Sequence, residues 1–256
     1  MKTDKLARLY IIFIYFFLYF PILLLILYSF NASKYGTSWQ GVTFKWYGSL
    51  ISNKTLIEST KNSFLIASLS SSFACLIGLI SALGFYNYVF MGRKFFLSLV
   101  YILAISPDIV MAISLLILFS FINLDLGFLT LLISHITFNL PFVIIIIIKR
   151  LKAFNKNLID AAKDLGASDW LVFSKIILPL IIPSIISAWL IAFTLSLDDV
   201  VISFFVTGTN FEVLPLRLFS MARLGIKAEI NALCSMIFMI TLTLIFISHF
   251  VFRKNL

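Results

Sequence analysis

Apolar blocks of about 20 residues, separated by short polar stretches, recur along the chain and constrain its fold more than any other feature. A helix rises about 1.5 Å per residue, so one such block spans the roughly 30 Å of a bilayer's hydrocarbon core. The spacing predicts spans at Leu9–Phe30, Ser63–Tyr88, Phe95–Ile122, Gly127–Ile148, Leu180–Val206 and Asn231–Phe252. These runs are continuously apolar and lack the alternation of transmembrane strands. The expectation is an all-α membrane protein of six transmembrane helices in a single domain over 1–256. Of its 256 residues 61% are hydrophobic and 12% charged, against about half and about a quarter in a soluble domain. A water-facing surface cannot be built from such a composition.

Lys2, Lys5 and Arg8 precede the first block and Asn31-Ala32-Ser33 follow it, the outline of a secretory signal. A signal's apolar core covers only about 7–15 residues. This block is longer and rich in aromatics, and reads as an uncleaved first span. Orientation follows from lysine and arginine, which favour cytoplasmic segments near span ends. With both termini cytoplasmic, the inner segments hold thirteen: Lys2, Lys5, Arg8, Arg93, Lys94, Lys149, Arg150, Lys152, Lys156, Lys163, Lys175, Arg253 and Lys254. The outer segments hold seven, Lys34, Lys45, Lys54, Lys61, Arg217, Arg223 and Lys227, spread over two long loops. The formal charge of +9 is therefore mostly topological. Basic residues that hug span ends form no single face, which argues against a nucleic-acid partner.

Several chemistries are excluded. There is no G-x-x-x-x-G-K-[ST] loop to cradle nucleotide phosphates, no G-x-S-x-G, no H-E-x-x-H and no C-x-x-C. The chain is not expected to be an enzyme or to bind a metal or cofactor itself. Cys75 and Cys234 fall inside predicted spans, where cysteine behaves as a small apolar residue. His135 and His249 lack any spaced ligand partner and read as hydrogen-bonded packing residues.

The longest inner segment, 149–179, is not composed like a linker. Leu158, Ala161, Ala162 and Leu165 recur at helical spacing, and Gly166 stops that helix as a left-handed cap would. Ser168 is placed to cap a second short helix, Asp169 suits that helix's dipole, and Pro179 is the next expected break. Two short helices bent at a glycine form a knob suited to a groove on another protein.

Within the spans the ionisable acids are Asp108, Asp198 and Asp199, with no lysine or arginine to neutralise them. A carboxylate in hydrocarbon costs roughly 2.5–3.5 kcal/mol on insertion scales, which invites a functional explanation. A cationic substrate supplies the missing charge. A straight-helix count puts Asp108 about 20 Å from Phe95 and Asp198 roughly 27 Å from Leu180, both in the outer half. Asp198 and Asp199 diverge by about 100° around a helix. Asp108 and Asp198 are therefore the expected pathway residues, with Thr194 one turn before Asp198. Asp199 either joins them or pairs with Arg217 or Arg223. Trp46 and Tyr47, in the first outer loop, are candidates for cation–π contact with a small polyvalent amine, or for interfacial anchoring.

Asp160-Ala161-Ala162, three residues, Gly166, nine residues, Ile176, one residue and Leu178-Pro179 together resemble the EAA motif of permeases in binding-protein-dependent ABC importers. Asp160 stands where that family usually has glutamate, one methylene shorter. The resemblance implies the type I, MetI-like permease fold. It also implies an ATPase-coupling role for Asp160, Ala161, Ala162, Gly166, Asp169, Ile176, Leu178 and Pro179. Further stretches resemble the PotC-type permeases of spermidine/putrescine importers: Trp39-Gln40-Gly41 with Trp46-Tyr47, Ser106 to Ser114, Ser134 to Phe138, Thr194 to Val201 and Leu214-Pro215-Leu216. Ala228 departs from the proline common there before the residue at Glu229.

That likeness implies a multi-pass inner-membrane location and three partners. These are a second permease subunit, a cytoplasmic ABC ATPase dimer carrying the ATP and Mg, and a periplasmic polyamine-binding protein docked on the first outer loop and 211–229. The alternatives are a permease for another small cationic or organic solute, a secondary transporter using Asp108 and Asp198 as ion sites, and a scaffold subunit with no conduit.

Overall fold

The computed structural model describes residues 2–35, 38–153, 157–209, 211–223 and 228–253, with side chains described from residue 7 onward except 241 and 244–253. Lys156, Lys227 and Lys254 lie outside the described residues, as do the side chains of Lys2, Lys5, His249 and Arg253. The described chain is helical, its one β feature an isolated bridge between Asn31 and Val42. In order come α1 (Lys2–Ser29), α2 (Lys45–Ser52), α3 (Lys54–Asn87), α4 (Arg93–Ile105), α5 (Asp108–Phe121) and α6 (Phe128–Lys152). There follow α7 (Asn157–Asp164), α8 (Asp169–Val172), a π turn (Phe173–Ile177), α9 (Leu178–Asp198), α10 (Val201–Val206), α11 (Leu214–Arg223) and α12 (Ala228–Arg253).

Among the described residues, four helices are long and apolar enough to cross a membrane: Ala7–Ser29, Lys54–Asn87, Phe128–Lys152 and Asp169–Asp198. The pair α4 and α5 makes a fifth crossing if it counts as one passage, since its two parts are bent by 111°. Three expectations change here. The third span is interrupted: Ser106 and Pro107 are both extended (ψ 138° and 136°). A proline disfavours helix in the residue before it and offers no N–H of its own. The depth counted along a straight helix from Phe95 therefore does not apply to Asp108.

The fifth span starts at Asp169, eleven residues before Leu180, because α8, the π turn and α9 run on as one helical segment. Pro179 does not break it. The π turn, closed by the Leu178 N–H to the Phe173 carbonyl, shifts the hydrogen-bond register just before the proline. At its other end the segment stops at Asp198, where Asp199 turns extended (ψ 126°) before α10 begins.

The chain divides into two compact units, Met1–Glu58 with Arg217–Leu256, and Ser59–Leu216. In the first, α1 and α2 pack on α12. Asn31 organises the loop between α1 and α2 from a fully buried position. The Asn31 amide oxygen accepts from the backbone of Ser33 and Gln40, its nitrogen donates to the Ser38 carbonyl, and its own carbonyl accepts Trp46 Nε1 at 2.7 Å. Tyr47 ties the loop to the helices, its hydroxyl 2.7 Å from Ser29 Oγ and 3.4 Å from Ser235 Oγ. Ala228 donates its N–H to the Lys34 carbonyl at 2.9 Å. A proline there has no such N–H, so the departure at Ala228 adds a tether.

In the second unit the core consists of two apolar clusters. One gathers Ala74 and Ala82 of α3, Val143 and Ile147 of α6, and Ile181, Ala188 and Ala192 of α9, with α4 packed on it through Leu97 and Val100. The other gathers Ile66 of α3, Met111, Leu115 and Phe119 of α5, Leu131 of α6, and Ile202 and Val206 of α10. Helix approach is close where residues are small, as in other membrane bundles. A Cβ on Gly78 would lie 2.6 Å from Val143 Cγ1. Ser70, His135, Asn139, Ser196, Asp199 and Ser203 of these helices and their junctions are buried as well.

Candidate functional site

The 157–177 segment is built from its caps. Gly166 is left-handed (φ 82°), and the N–H groups of Gly166 and Ala167 reach back to the carbonyls of Lys163 (2.8 Å) and Ala162 (3.0 Å). This pattern ends α7 and turns the chain. Ser168 Oγ then accepts the Leu171 N–H at 3.4 Å and opens α8. Across the turn Lys163 Nζ lies 2.9 Å from Asp169 Oδ1. That hydrogen bond and the carboxylate's charge hold the exposed Lys163 ammonium above the usual lysine range. Asp169 thus bridges to α7 as well as favouring the α8 dipole.

Ile159, Ala162 and Ala167 face inward on the α6–α9 cluster. Leu158, Leu165, Trp170 and Leu171 face outward, with Leu165 89% and Trp170 73% exposed. These side chains leave an apolar surface on the loop. Beside it Ala162, Gly166, Leu171, Lys175 and Ile176 line a cavity of about 360 Å³. Asp160 and Ala161 are exposed on α7, and Leu178 and Pro179 lie at the base of α9.

The three acids part company. Asp108 is exposed as the first residue of α5, directly after the Ser106-Pro107 break. Asp198 is exposed as the last residue of α9, one turn beyond Thr194 on the same face; Thr194 Oγ1 donates to the Leu190 carbonyl at 2.9 Å. Neither carboxylate has an ion-pair partner among the described residues. Asp199 is buried, and its partner is neither Arg217 nor Arg223. Its Oδ1 accepts the Ile202 N–H (3.2 Å), and its Oδ2 accepts the Ser203 N–H (2.8 Å) and hydroxyl (2.9 Å). His135 Nε2 of α6 lies 3.5 Å from that same oxygen. On its other side His135 Nδ1 meets Ser196 Oγ, which accepts from Ser70 Oγ of α3 at 3.0 Å.

Nothing in the spacing of His135 and Asp199 along the sequence links the two. The available signal was complementarity: an intramembrane acid and an intramembrane histidine are each costly alone and suit each other. The serines carried no such signal. Trp46 and Tyr47 belong to the first unit, where their polar atoms hold the α1–α2 loop together and the Tyr47 ring packs tilted against Phe30 (centroids 5.4 Å apart).

Residues 74–254 match the family model described as binding-protein-dependent transport system inner membrane component. The chain is 46% identical over 242 residues to the spermidine/putrescine transport system permease protein PotC of Escherichia coli (strain K12), covering 94% of this chain and 92% of that one. It is 43% identical over 255 residues to the protein of the same description from Haemophilus influenzae, covering 100% and 99%. In fold it is similar to a solved bacterial ABC transporter involved in importing the acidic polysaccharide alginate, with TM-score 0.74 at 21% identity over 98% of this chain and 96% of that one. The chain belongs to the family of binding-protein-dependent transport system inner membrane components, and is a multi-pass permease of that family.

Proposed function

We propose that this chain is the permease subunit of an ATP-driven importer of spermidine or putrescine, with six crossings, cytoplasmic termini and Asp108 and Asp198 lining its half of the pathway. The observation that carries the reading is the pair of exposed carboxylates at helix breaks, in a chain whose relatives are polyamine permeases. A cation supplies the charge that both acids lack. Thr194 adds a hydroxyl one turn from Asp198. A second permease completes the conduit, a periplasmic binding protein delivers the amine, and an ATPase dimer docks on the 157–179 knob. This chain supplies no catalytic residue; ATP and Mg belong to the ATPase.

Alternating access then works through the chain's own parts. Closure of the ATPases pushes on Leu165, Trp170 and Leu171. The α8, π-turn and α9 segment, continuous from Asp169 to Asp198, carries that push about 45 Å at 1.5 Å per residue to the carboxylate at its far end.

The two acids are not equivalent. Asp108 stands at a helix N-terminus, where the dipole favours an anion; Asp198 stands at a C-terminus, where carbonyls and carboxylate add and favour a cation. Asp198→Asn is therefore expected to raise the spermidine KM of the reconstituted complex roughly tenfold or more, and Asp108→Asn by less, with assembly retained. Polyamine-stimulated ATP hydrolysis and vesicle uptake are the readouts. Unchanged uptake from both variants overturns the pathway assignment, and uptake without ATP overturns the importer.

A further inference from the structure

We infer that Asp199 and His135 are a positioning pair: Asp199 does not meet the polyamine but fixes the turn between α9 and α10, and so the direction of the Asp198 carboxylate. The inference rests on Asp198 lining the pathway, as proposed above. Two adjacent aspartates offer two candidate charges for a cation, and the geometry separates them. Asp198 is exposed at the end of α9, while Asp199 is 8% exposed. Every partner of the Asp199 carboxylate belongs to the protein: the backbone N–H groups of Ile202 and Ser203, the Ser203 hydroxyl and His135. The first three close the entry to α10. The fourth anchors the turn to α6, and through Ser196 and Ser70 to α3.

Three consequences follow. The turn is held from three helices, so a displacement of α9 reaches Asp198 without the local chain relaxing. The pathway receives one carboxylate at this break, not two, and so one ammonium is held here. Finally, Asp199 works through its oxygen geometry more than its charge, whereas Asp198 works through charge.

That last difference is testable. Asp199→Asn keeps shape and one acceptor oxygen, enough for the Ser203 N–H and hydroxyl that share Oδ2, and uptake by the full complex is expected within about threefold of wild type. Asp199→Ala removes the cap and the anchor together, and a loss of tenfold or more is expected. His135→Ala is expected to match it, with the double variant no worse than either single. Asp198→Asn fails through charge alone, so its failure tests the pathway assignment and leaves the pair untouched.

A destabilised helix break would also reduce uptake, so the decisive readout is local. In the wild-type complex a water-soluble carbodiimide with an amine nucleophile is expected to modify Asp198, spermidine to protect it, and Asp199 to stay unmodified. In Asp199→Ala, at unchanged complex yield and basal ATP hydrolysis, the half-protecting spermidine concentration at Asp198 is expected to rise at least tenfold. If Asp199→Ala does not assemble, Ser203→Ala removes one oxygen partner and is expected to shift protection about threefold. Modification of Asp199 that spermidine blocks overturns the proposal. So does an Asp199→Asn complex as defective as Asp198→Asn, or protection that stays unmoved in the assembled variant.

Discussion

Gly78 sets α3 directly against Val143 of α6, and replacing it with alanine tests the packing of the second unit. The added Cβ would lie 2.6 Å from Val143 Cγ1, 3.1 Å from Val143 Cβ and 3.6 Å from Leu140 Cδ1. Carbon atoms settle at about 3.5–4.0 Å, so the new methyl overlaps Val143 Cγ1 by about 1 Å. Val143 cannot swing aside, because a β-branched side chain in a helix has one strongly preferred rotamer. The two helices must move apart instead, loosening the layer of Ala74, Ala82 and Ile147 on either side. Overpacking of this kind costs about 1–3 kcal/mol, roughly a five- to hundredfold loss in the folded ratio. Cys75 is buried on the same helix and reports the change. Thermal exposure of its thiol, followed by peptide-resolved labelling in membranes, is expected to shift to lower temperature in Gly78→Ala. Val143→Ala removes the clashing Cγ1, so Gly78→Ala/Val143→Ala is expected to be more stable than the sum of the single losses. An unshifted midpoint in Gly78→Ala, or strict additivity in the pair, refutes the contact.

Gly166→Pro imposes a φ near −65° where 82° is needed and removes the N–H to Lys163, so inserted protein is expected at normal yield with ATP-driven uptake abolished; normal uptake sinks the coupling role. Ala228→Pro loses the hydrogen bond to Lys34, about 1 kcal/mol, and is expected to lower the thermal midpoint of the complex by a few degrees. Lys163→Met is expected to leave uptake unchanged at neutral pH, since both partners of its ion pair are exposed. Because the lysine's value is raised on folding, that pair is intact below the ordinary 10.5 and is lost only as pH climbs through the folded value, which an alkaline titration of α7 helicity reads.

Helix existence was legible in the sequence because hydrocarbon leaves the backbone almost no alternative. Helix continuity was not. Pro107 and Pro179 look alike as residues, yet one breaks its helix and the other lies within one. The difference is context: the residue before Pro107 is extended, while Pro179 follows a π turn that has already shifted the register. Hydropathy also gives no direction. Asp198 and Asp199 score identically, and only the fold puts one outside and one against His135. The Gly166 cap was readable because its cause is local, a residue able to adopt positive φ at the end of a short amphipathic helix. The role of Asn31 is not legible in the sequence, because its four hydrogen bonds depend on a loop closing around it.

Both breaks fall where the core itself divides. The α4 helix packs on the cluster with Val143 and Ile147, α5 on the cluster with Leu131, and the Ser106-Pro107 interruption lies between them. In the same way α9 belongs to the first cluster and α10 to the second, with Asp199 at the junction. The helices that pass through unbroken, α3 and α6, bury the polar residues Ser70, His135 and Asn139. A carboxylate inside either cluster would cost several kcal/mol. At the seam, a helix that ends exposes its last acid, and a helix that begins exposes its first. Asp108 and Asp198 avoid that cost by standing exposed at helix ends, and Asp199 meets it with the N–H groups of Ile202 and Ser203, the Ser203 hydroxyl and His135.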